Sequence, residues 1–446
     1  MRGAPGSPAR RDLLRASVLV PATGAAVVAC AAVGARSWRR PPAVLLSEGV
    51  VVEDDGVLRA LPPGRTAAYV PGTRVAAFAR GAMAAAALQR RNGARLPGGR
   101  WADLSESALT DLLALTGPIL GGGGGEGPTR FPPGAVVAGP VGGWRYTWPR
   151  DASFAAAAFS AVGLHGEALG VLAHLAGLQR PDGGFEARYT ASGGVPDARP
   201  AQSDGAGWML WAARRALAEG AGADELEEAC GAAAARAVGN LLALTDTPSH
   251  LPAASPDYWE TRERTLTLGV AAPVLLGLEA AAGLEQAGMD IGASAGRSAA
   301  RARAVRAAME RAFAPGWGRH VRDDDVDAAI ALVGPPFTAA LAGTRPVRAS
   351  AVVRMRRGGG GVGPGTSWRD DGVSWTPETA LLAWSAVALG RSQEAERLLD
   401  WLDGHRTAAG ALAEKVDDDG APAGPAPLAW TCALVILAAV DAGLSA

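Results

Sequence analysis

The chain has 446 residues and a formal net charge of −1, and its arginines are scattered rather than gathered on one element. That distribution excludes the basic footprint of a nucleic-acid binder. Three cysteines, Cys30, Cys230 and Cys432, are too few for a disulfide framework, and the last two lie in Ala-rich stretches where they read as small buried residues. Tryptophan (13) outnumbers tyrosine (4) and phenylalanine (7), an excess that suits either stacking on the flat faces of sugars or filling a large helical core.

Residues 1–36 read as an export signal or membrane anchor. Arg10-Arg11-Asp12-Leu13-Leu14-Arg15 precedes an apolar run, the pattern of a twin-arginine signal. Val27-Val28-Ala29-Cys30 has the form of a lipobox, in which Cys30 would be lipidated and tether an exported protein to the membrane. A single retained Ala-rich membrane helix is the bland alternative. Residues 37–74, with Pro41-Pro42 and Pro62-Pro63, read as a linker that could carry one or two short strands.

From residue 75 to 446 the pattern changes to Ala- and Leu-rich stretches of helical length, broken by Gly, Pro and Asp clusters. Helices are expected near 75–92, 104–116, 151–163, 166–179, 203–219, 224–244, 266–287, 295–314, 325–342, 376–389, 392–404 and 426–443. Paired helices without a fixed sequence period favour a closed all-α (α/α)6 barrel, a six-hairpin toroid, over a solenoid. The long loops at 121–149, 181–202, 246–265, 355–375 and 407–426 recur after every second helix. They would therefore gather at one end and build a cleft.

Four clusters in those loops carry chemistry. In Trp144-Arg145-Tyr146-Thr147-Trp148-Pro149-Arg150-Asp151, the adjacent Arg and Asp offer five donors beside a double acceptor, which suits neighbouring sugar hydroxyls. Asp151 could instead merely cap the following helix. Capping also explains much of Gln202-Ser203-Asp204-Gly205. In Asp257-Tyr258-Trp259-Glu260-Thr261-Arg262, a carboxyl flanked by aromatics is partly desolvated, which favours the protonated form a general acid requires. Leu412-Ala413-Glu414-Lys415-Val416 precedes an acidic turn and Pro427-Leu428-Ala429-Trp430; Glu414 alone is a weak signal, and Lys415 could lower its pKa or merely point outward.

Trp148-Pro149-Arg150-Asp151, Tyr258-Trp259-Glu260, Trp375-Thr376-Pro377-Glu378-Thr379-Ala380, and Leu412 to Val416 with Pro427 to Trp430, in this order, resemble glycoside hydrolase family 15, the glucoamylase and bacterial trehalase family. The resemblance covers roughly residues 75 to 446. It implies an inverting, exo-acting α-glucoside hydrolase that releases glucose from non-reducing ends of oligo- or polysaccharides, with no cofactor and no metal. Glu260 matches the general acid and Glu414 the base that activates water. Arg150 and Asp151 match the pair gripping the terminal glucose, while Trp144 and Trp375 border the sugar. Tyr146, Trp148, Asp204, Trp259 and Arg262 join them as substrate-binding candidates. Inversion requires a water between base and anomeric carbon, so such carboxyls stand about 6.5–9.5 Å apart. Two departures stand out: Ala413-Glu414-Lys415 replaces the family's usual Pro-Glu-Gln, and no counterpart exists for its Arg-Tyr pair upstream of the cleft tryptophan.

Two rival readings remain: a catalytically inactive sugar-binding lipoprotein on the same barrel, and a terpene-cyclase-like toroid. The second would use the turn from Gln179 to Phe185 and the aspartates Asp323-Asp324-Asp325-Val326-Asp327 as a magnesium run. The Gln turn appears only once, though, and an acidic surface turn explains the aspartates, so this rival is the weaker one.

Overall fold

The computed structural model describes residues 43–79, 81–122, 127–292 and 296–444; the export segment and Cys30 lie outside them. The fold is all-α. In chain order the helices are α1 (Gly81–Arg91), α2 (Ala102–Ala114), α3 (Pro149–Ala161), α4 (His165–Leu178), α5 (Gly205–Ala218) and α6 (Ala223–Leu244). There follow α7 (Leu268–Gln286), α8 (Arg297–Phe313), α9 (Thr344–Arg354), α10 (Thr376–Ala388), α11 (Ser392–Gly404) and α12 (Ala429–Leu444). Two 3-10 segments, Gly142–Trp144 and Ala328–Val333, complete the helical content described.

The helices close into two concentric rings. Going around the inner ring, α3 packs on α5, α5 on α7, α7 on the 3-10 segment 328–333, that segment on α10, α10 on α12, and α12 back on α3. Each inner member has an outer partner: α4, α6, α8, α9, α11 and α2 respectively. This is the six-hairpin (α/α)6 toroid. Composition explains the placement. α3 (PRDASFAAAAFSA) is buried from Pro149 to Ser160 and has no polar face to give to water, so it must be enclosed. α7 is equally apolar and equally enclosed, whereas α11 buries only one stripe and stands outside.

Small residues set how closely the inner helices approach. A Cβ on Gly207 of α5 would stand 2.1 Å from the carbonyl oxygen of Pro273 in α7, and one on Gly277 would stand 2.5 Å from the Gly207 Cα. The space enclosed is plugged by Phe154, Trp208, Trp211, Phe337 and Trp384, whose rings meet at centroid distances of 4.9–6.3 Å, mostly tilted or edge-to-face.

One expected helix is replaced. In place of 325–342 the chain makes the short segment 328–333, then Gly334-Pro335-Pro336, then α9 at 344–354. Two consecutive prolines supply no N–H groups and cannot continue a helix. α9 falls outside the expected helices because its sequence, TRPVRASAVVR, looks solvent-bound. Its Arg348 is nonetheless buried, giving hydrogen bonds to Ser385 Oγ (2.9 Å), Glu394 Oε1 (2.8 Å) and the Leu382 carbonyl (2.6 Å), which tie α9 to α10 and α11.

Residues 43–74 pack within the same compact unit as the ring. They form the antiparallel pair β1 (Gly49–Val52) and β2 (Val57–Leu61), extended by β3 (Ile119–Leu120) and β4 (Thr129–Arg130). Ser47 Oγ donates to the Ala426 carbonyl and Glu48 accepts from the Ala408 N–H, so this segment is tied to loops near the C-terminus. A second small sheet, β5 (Ser374–Trp375), β6 (Lys415–Val416) and β7 (Pro422–Ala423), lies where the inner helices begin.

Gly207→Ala should force α5 and α7 apart and destabilise the protein by about 1–3 kcal/mol or more, as overpacking does. Urea unfolding compared with Gly239→Ala, which meets nothing within 4 Å on outer helix α6, checks it; equal stability of the two variants would contradict the close approach.

Candidate active site

The starts of α3, α10 and α12, and the loops leading into α5 and α7, surround a cavity of about 280 Å³. Six of the tryptophans line it: Trp144, Trp148, Trp259, Trp368, Trp375 and Trp430. The aromatic plug of the ring lies beneath, with Trp430 reaching down to Phe154 at 5.9 Å. The tryptophan excess thus serves both purposes, core filling and cavity wall.

Pro149 fixes the start of α3, and the next two residues, Arg150 and Asp151, are set into the cavity wall. Arg150 Nε donates to Asp151 Oδ1 at 3.1 Å, and its Nη1 stands 4.0 Å from Glu260 Oε1. Nη1 is buried without a hydrogen-bond partner among the described residues. Burial opposes the guanidinium charge, but Asp151, Glu260, Asp204 and Asp257 together overcome it and hold Arg150 charged. The guanidinium also lies 4.7 Å above the Trp430 ring. Burial likewise pushes Asp151 upward, with Arg150 acting against it.

Asp204 occupies the residue before α5 but does not cap it with its side chain: Oδ2 accepts from Trp208 Nε1 at 3.1 Å. Burial raises it to about 6, Arg150 and the Trp208 hydrogen bond counteract, and Asp257 and Glu260 add to the rise.

Glu260 sits in a strained turn. Its φ is +57°, unusual for a residue with a side chain, and the Asp257 backbone and side chain hold the turn by accepting from the N–H groups of Glu260 (2.9 Å) and Trp259 (3.0 Å). The flanking aromatics are engaged elsewhere: the Tyr258 hydroxyl donates to Asp327, and Trp259 meets Trp368 edge-on at 4.8 Å. What the Glu260 carboxylate meets is polar. Oε1 accepts from Gln202 Nε2 at 2.6 Å and Oε2 from Arg199 Nη1 at 2.8 Å. The apolar surrounding expected from sequence is therefore replaced by donors.

Glu414 immediately precedes β6, and its carbonyl accepts from the Thr376 N–H at 3.0 Å, which registers it against the start of α10. The residue is only 8% exposed. Trp144 Nε1 donates to Oε1 at 3.1 Å, while Lys415 Nζ stands 2.9 Å from Oε2 and 4.2 Å from the Trp375 ring centre. Gly424, at φ +79°, closes over this carboxylate; a Cβ there would stand 2.9 Å from Glu414 Oε2.

Of the residues singled out from sequence, Glu260, Glu414, Trp144, Trp148, Arg150, Asp151, Trp259 and Trp375 line one cavity. Tyr146 stands behind it, under the Arg188 guanidinium at 4.6 Å; Asp204 is buried behind Arg150; Arg262 is exposed and outside. Arg188, Arg199, Trp368, Glu378 and Trp430 line the cavity without having been proposed. Trp430 and Glu378 belonged to motifs already quoted, and Trp368 sits in a Gly-rich loop that gave a usable hint. The rival motifs have structural uses. Gln179 Nε2 bonds the carbonyls of Gly183 and Ala233, and Asp327 bonds Arg319 and the Ala329 N–H. Carboxylate oxygens of Asp323, Asp324 and Asp325 lie within 4.8 Å of one another, but Asp323 accepts the N–H groups of the other two, and none of the three lines the cavity.

No family model and no curated protein sequence matches the chain. Solved structures do. One is a glycosidase variant in complex with glucose, at 22% identity and TM-score 0.57, covering 70% of this chain and 92% of that one. Another is the glucoamylase from Saccharomycopsis fibuligera, at 12% identity and TM-score 0.61, covering 80% and 98%. A bacterial glucoamylase complexed with acarbose is similar at 17% identity and TM-score 0.53, covering 70% and 52%. These likenesses establish the six-hairpin fold.

The Gly424 contact can be tested without any ligand. Gly424→Ala should cost stability in the wild-type background by about 1–3 kcal/mol, from the left-handed backbone and from crowding Glu414. In a Glu414→Ala background the carboxylate contact is gone, so the cost should fall to that of the backbone and of the 3.0 Å approach to the Cβ that alanine keeps. Equal costs in the two backgrounds, measured by denaturant unfolding, would show that Gly424 does not seat this carboxylate.

Proposed function

We propose that the chain is an inverting, exo-acting α-glucoside hydrolase of the glycoside hydrolase family 15 type, releasing glucose from non-reducing ends. The observation that carries this reading is that Glu260 and Glu414, 154 positions apart in sequence, line one aromatic-walled cavity with the Arg150–Asp151 pair between the same walls. The glucose and acarbose complexes of similar folds support a glucoside as the ligand. The ring beneath the cavity is plugged by aromatic side chains, which suits entry of a chain end rather than passage of a chain.

In this reading Glu260 is the general acid and Glu414 the base. Arg150 and Asp151 bind hydroxyls of the terminal glucose, and Trp144 and Trp375 flank the ring. Trp144 and Lys415 aim the Glu414 carboxylate at the water that attacks the anomeric carbon. The water's oxygen forms the new bond to that carbon as its proton passes to Glu414. The glycosidic bond breaks on the other side, and its oxygen takes the proton of Glu260. Arg199, whose side chain is 41% exposed, must leave Glu260 before the leaving oxygen can approach. Residues 75–446 form the catalytic barrel in this proposal, and residues 1–36 direct export, with Cys30 as the lipid attachment point.

The Arg199 and Gln202 contacts, which occupy both oxygens of Glu260, favour one second reading: a sugar binder without turnover. One experiment separates the two. The purified protein is offered maltose, isomaltose, trehalose and maltodextrin, and product anomers are followed by NMR. An inverting hydrolase releases β-glucose, and Glu260→Gln and Glu414→Gln each lower kcat by about 10²–10⁴-fold. Release of α-glucose would contradict inversion; sugar binding without hydrolysis would favour the binder.

A further inference from the structure

Glu378 lines the cavity and has no part in the mechanism above. It lies in the first turn of α10, two residues after Thr376 and directly after Pro377. A carboxyl there normally faces water, where the helix end favours its charge. Here it is only 2% exposed, and Pro377, Leu428 and Trp430 line the cavity with it. Neither oxygen joins an ion pair, and the buried Oε2 has no hydrogen-bond partner among the described residues.

We infer that Glu378 is a further sugar-binding residue, whose buried carboxyl donates a hydrogen bond to a hydroxyl of the glucosyl unit held beside Glu414. The inference rests on the functional reading above and names one more contact in the same site.

The charges around Glu378 bear it out. Burial pushes its acid up to about 8; its own backbone N–H works against this, the Glu414 and Asp327 carboxylates add to it, and Arg150 opposes it. Those groups come from different elements: Glu414 beside β6, Asp327 at the start of the 328–333 segment and Arg150 on α3. Tyr258, from the loop before α7, also interacts with Glu378 but is itself pushed well up by burial and stays neutral. Arg150 is already paired with Asp151, so it leaves Glu378 uncompensated. Near neutral pH Glu378 is therefore a carboxylic acid with one O–H to give and no acceptor for it among the described residues. A buried donor without an acceptor is costly, and a neutral hydroxyl supplies the acceptor without bringing another charge beside Glu414.

The test compares wild type, Glu378→Gln and Glu378→Ala, with glucose as the probe and cavity tryptophan fluorescence as the signal. The amide of Gln keeps a neutral donor; Ala removes it. At pH 6.5, in the order of magnitude of one neutral hydrogen bond, Ala should weaken glucose binding by about 3–10-fold while Gln stays within about twofold. Above about pH 8 the wild type should lose affinity as Glu378 ionises and its donor disappears, and Glu378→Gln should not follow that alkaline fall. A merely structural residue would not move this limb. Ala binding glucose as tightly as wild type, or the same alkaline fall in wild type and Gln, would overturn the assignment while leaving hydrolysis intact. If the wild type neither binds glucose nor cleaves any α-glucoside, the functional reading fails first and takes this contact with it.

Discussion

The guanidinium of Arg319 holds the site together. It is 2% exposed, and a charge so deep must be matched where it lies. Nη1 donates to Asp327 at 2.9 Å, and Nη2 donates to Asp257 at 2.9 Å and Glu263 at 2.7 Å. The same group lies 3.6 Å from the Trp259 ring centre. Burial works against its charge and the surrounding carboxylates more than restore it. Through this one cation, the loop carrying Glu260 is fastened at both flanks and anchored to the inner-ring segment at 328–333. The left-handed backbone of Glu260 persists because its neighbours on each side are already committed.

The ring beneath depends on the opposite kind of residue. Glycines let α5 and α7 approach until backbone meets backbone, alanines line α3, and the few large rings then fill what is left. A scaffold so lightly side-chained leaves polar atoms room at the helix starts and in the loops that lead into them, which is where the candidate catalytic and binding groups are found. Placing acids at helix starts also sets their environment: Asp151, Asp204 and Glu378 are all buried there and all shifted upward by that burial. Glu414 and Glu260 come from loops and strand edges instead, where lysine, arginine and amide donors reach them.

Most of this architecture was legible in the sequence, because apolar helices of ring length separated by long loops leave few other closed solutions. Trp148 to Asp151 and Tyr258 to Glu260 announced the cavity through residue types that a plain helix start does not require. What stayed hidden followed from tertiary partners. α9 reads as polar because its Arg348 finds a buried carboxylate from α11, 46 residues away. Glu378 reads as an ordinary first-turn acid until Trp430 and Leu428 arrive from α12 to take it out of water. The aromatic flanks of Glu260 suggest an apolar pocket, but Tyr258 bonds Asp327, Trp259 packs on Trp368, and Gln202 and Arg199 are what reach the carboxylate. Sequence neighbours indicate what a side chain could touch; only the closed ring decides what it does touch.

Lys415 is the sole lysine in the chain, and it stands against Glu414 with its amine over Trp375. Apart from the chain's terminal amine, reagents that acylate or methylate amines therefore find a single side chain to modify, and it borders the cavity. An isotopically labelled methyl group placed there would give one isolated side-chain resonance, reporting on the charge of its neighbouring carboxylate and on any molecule entering beside it.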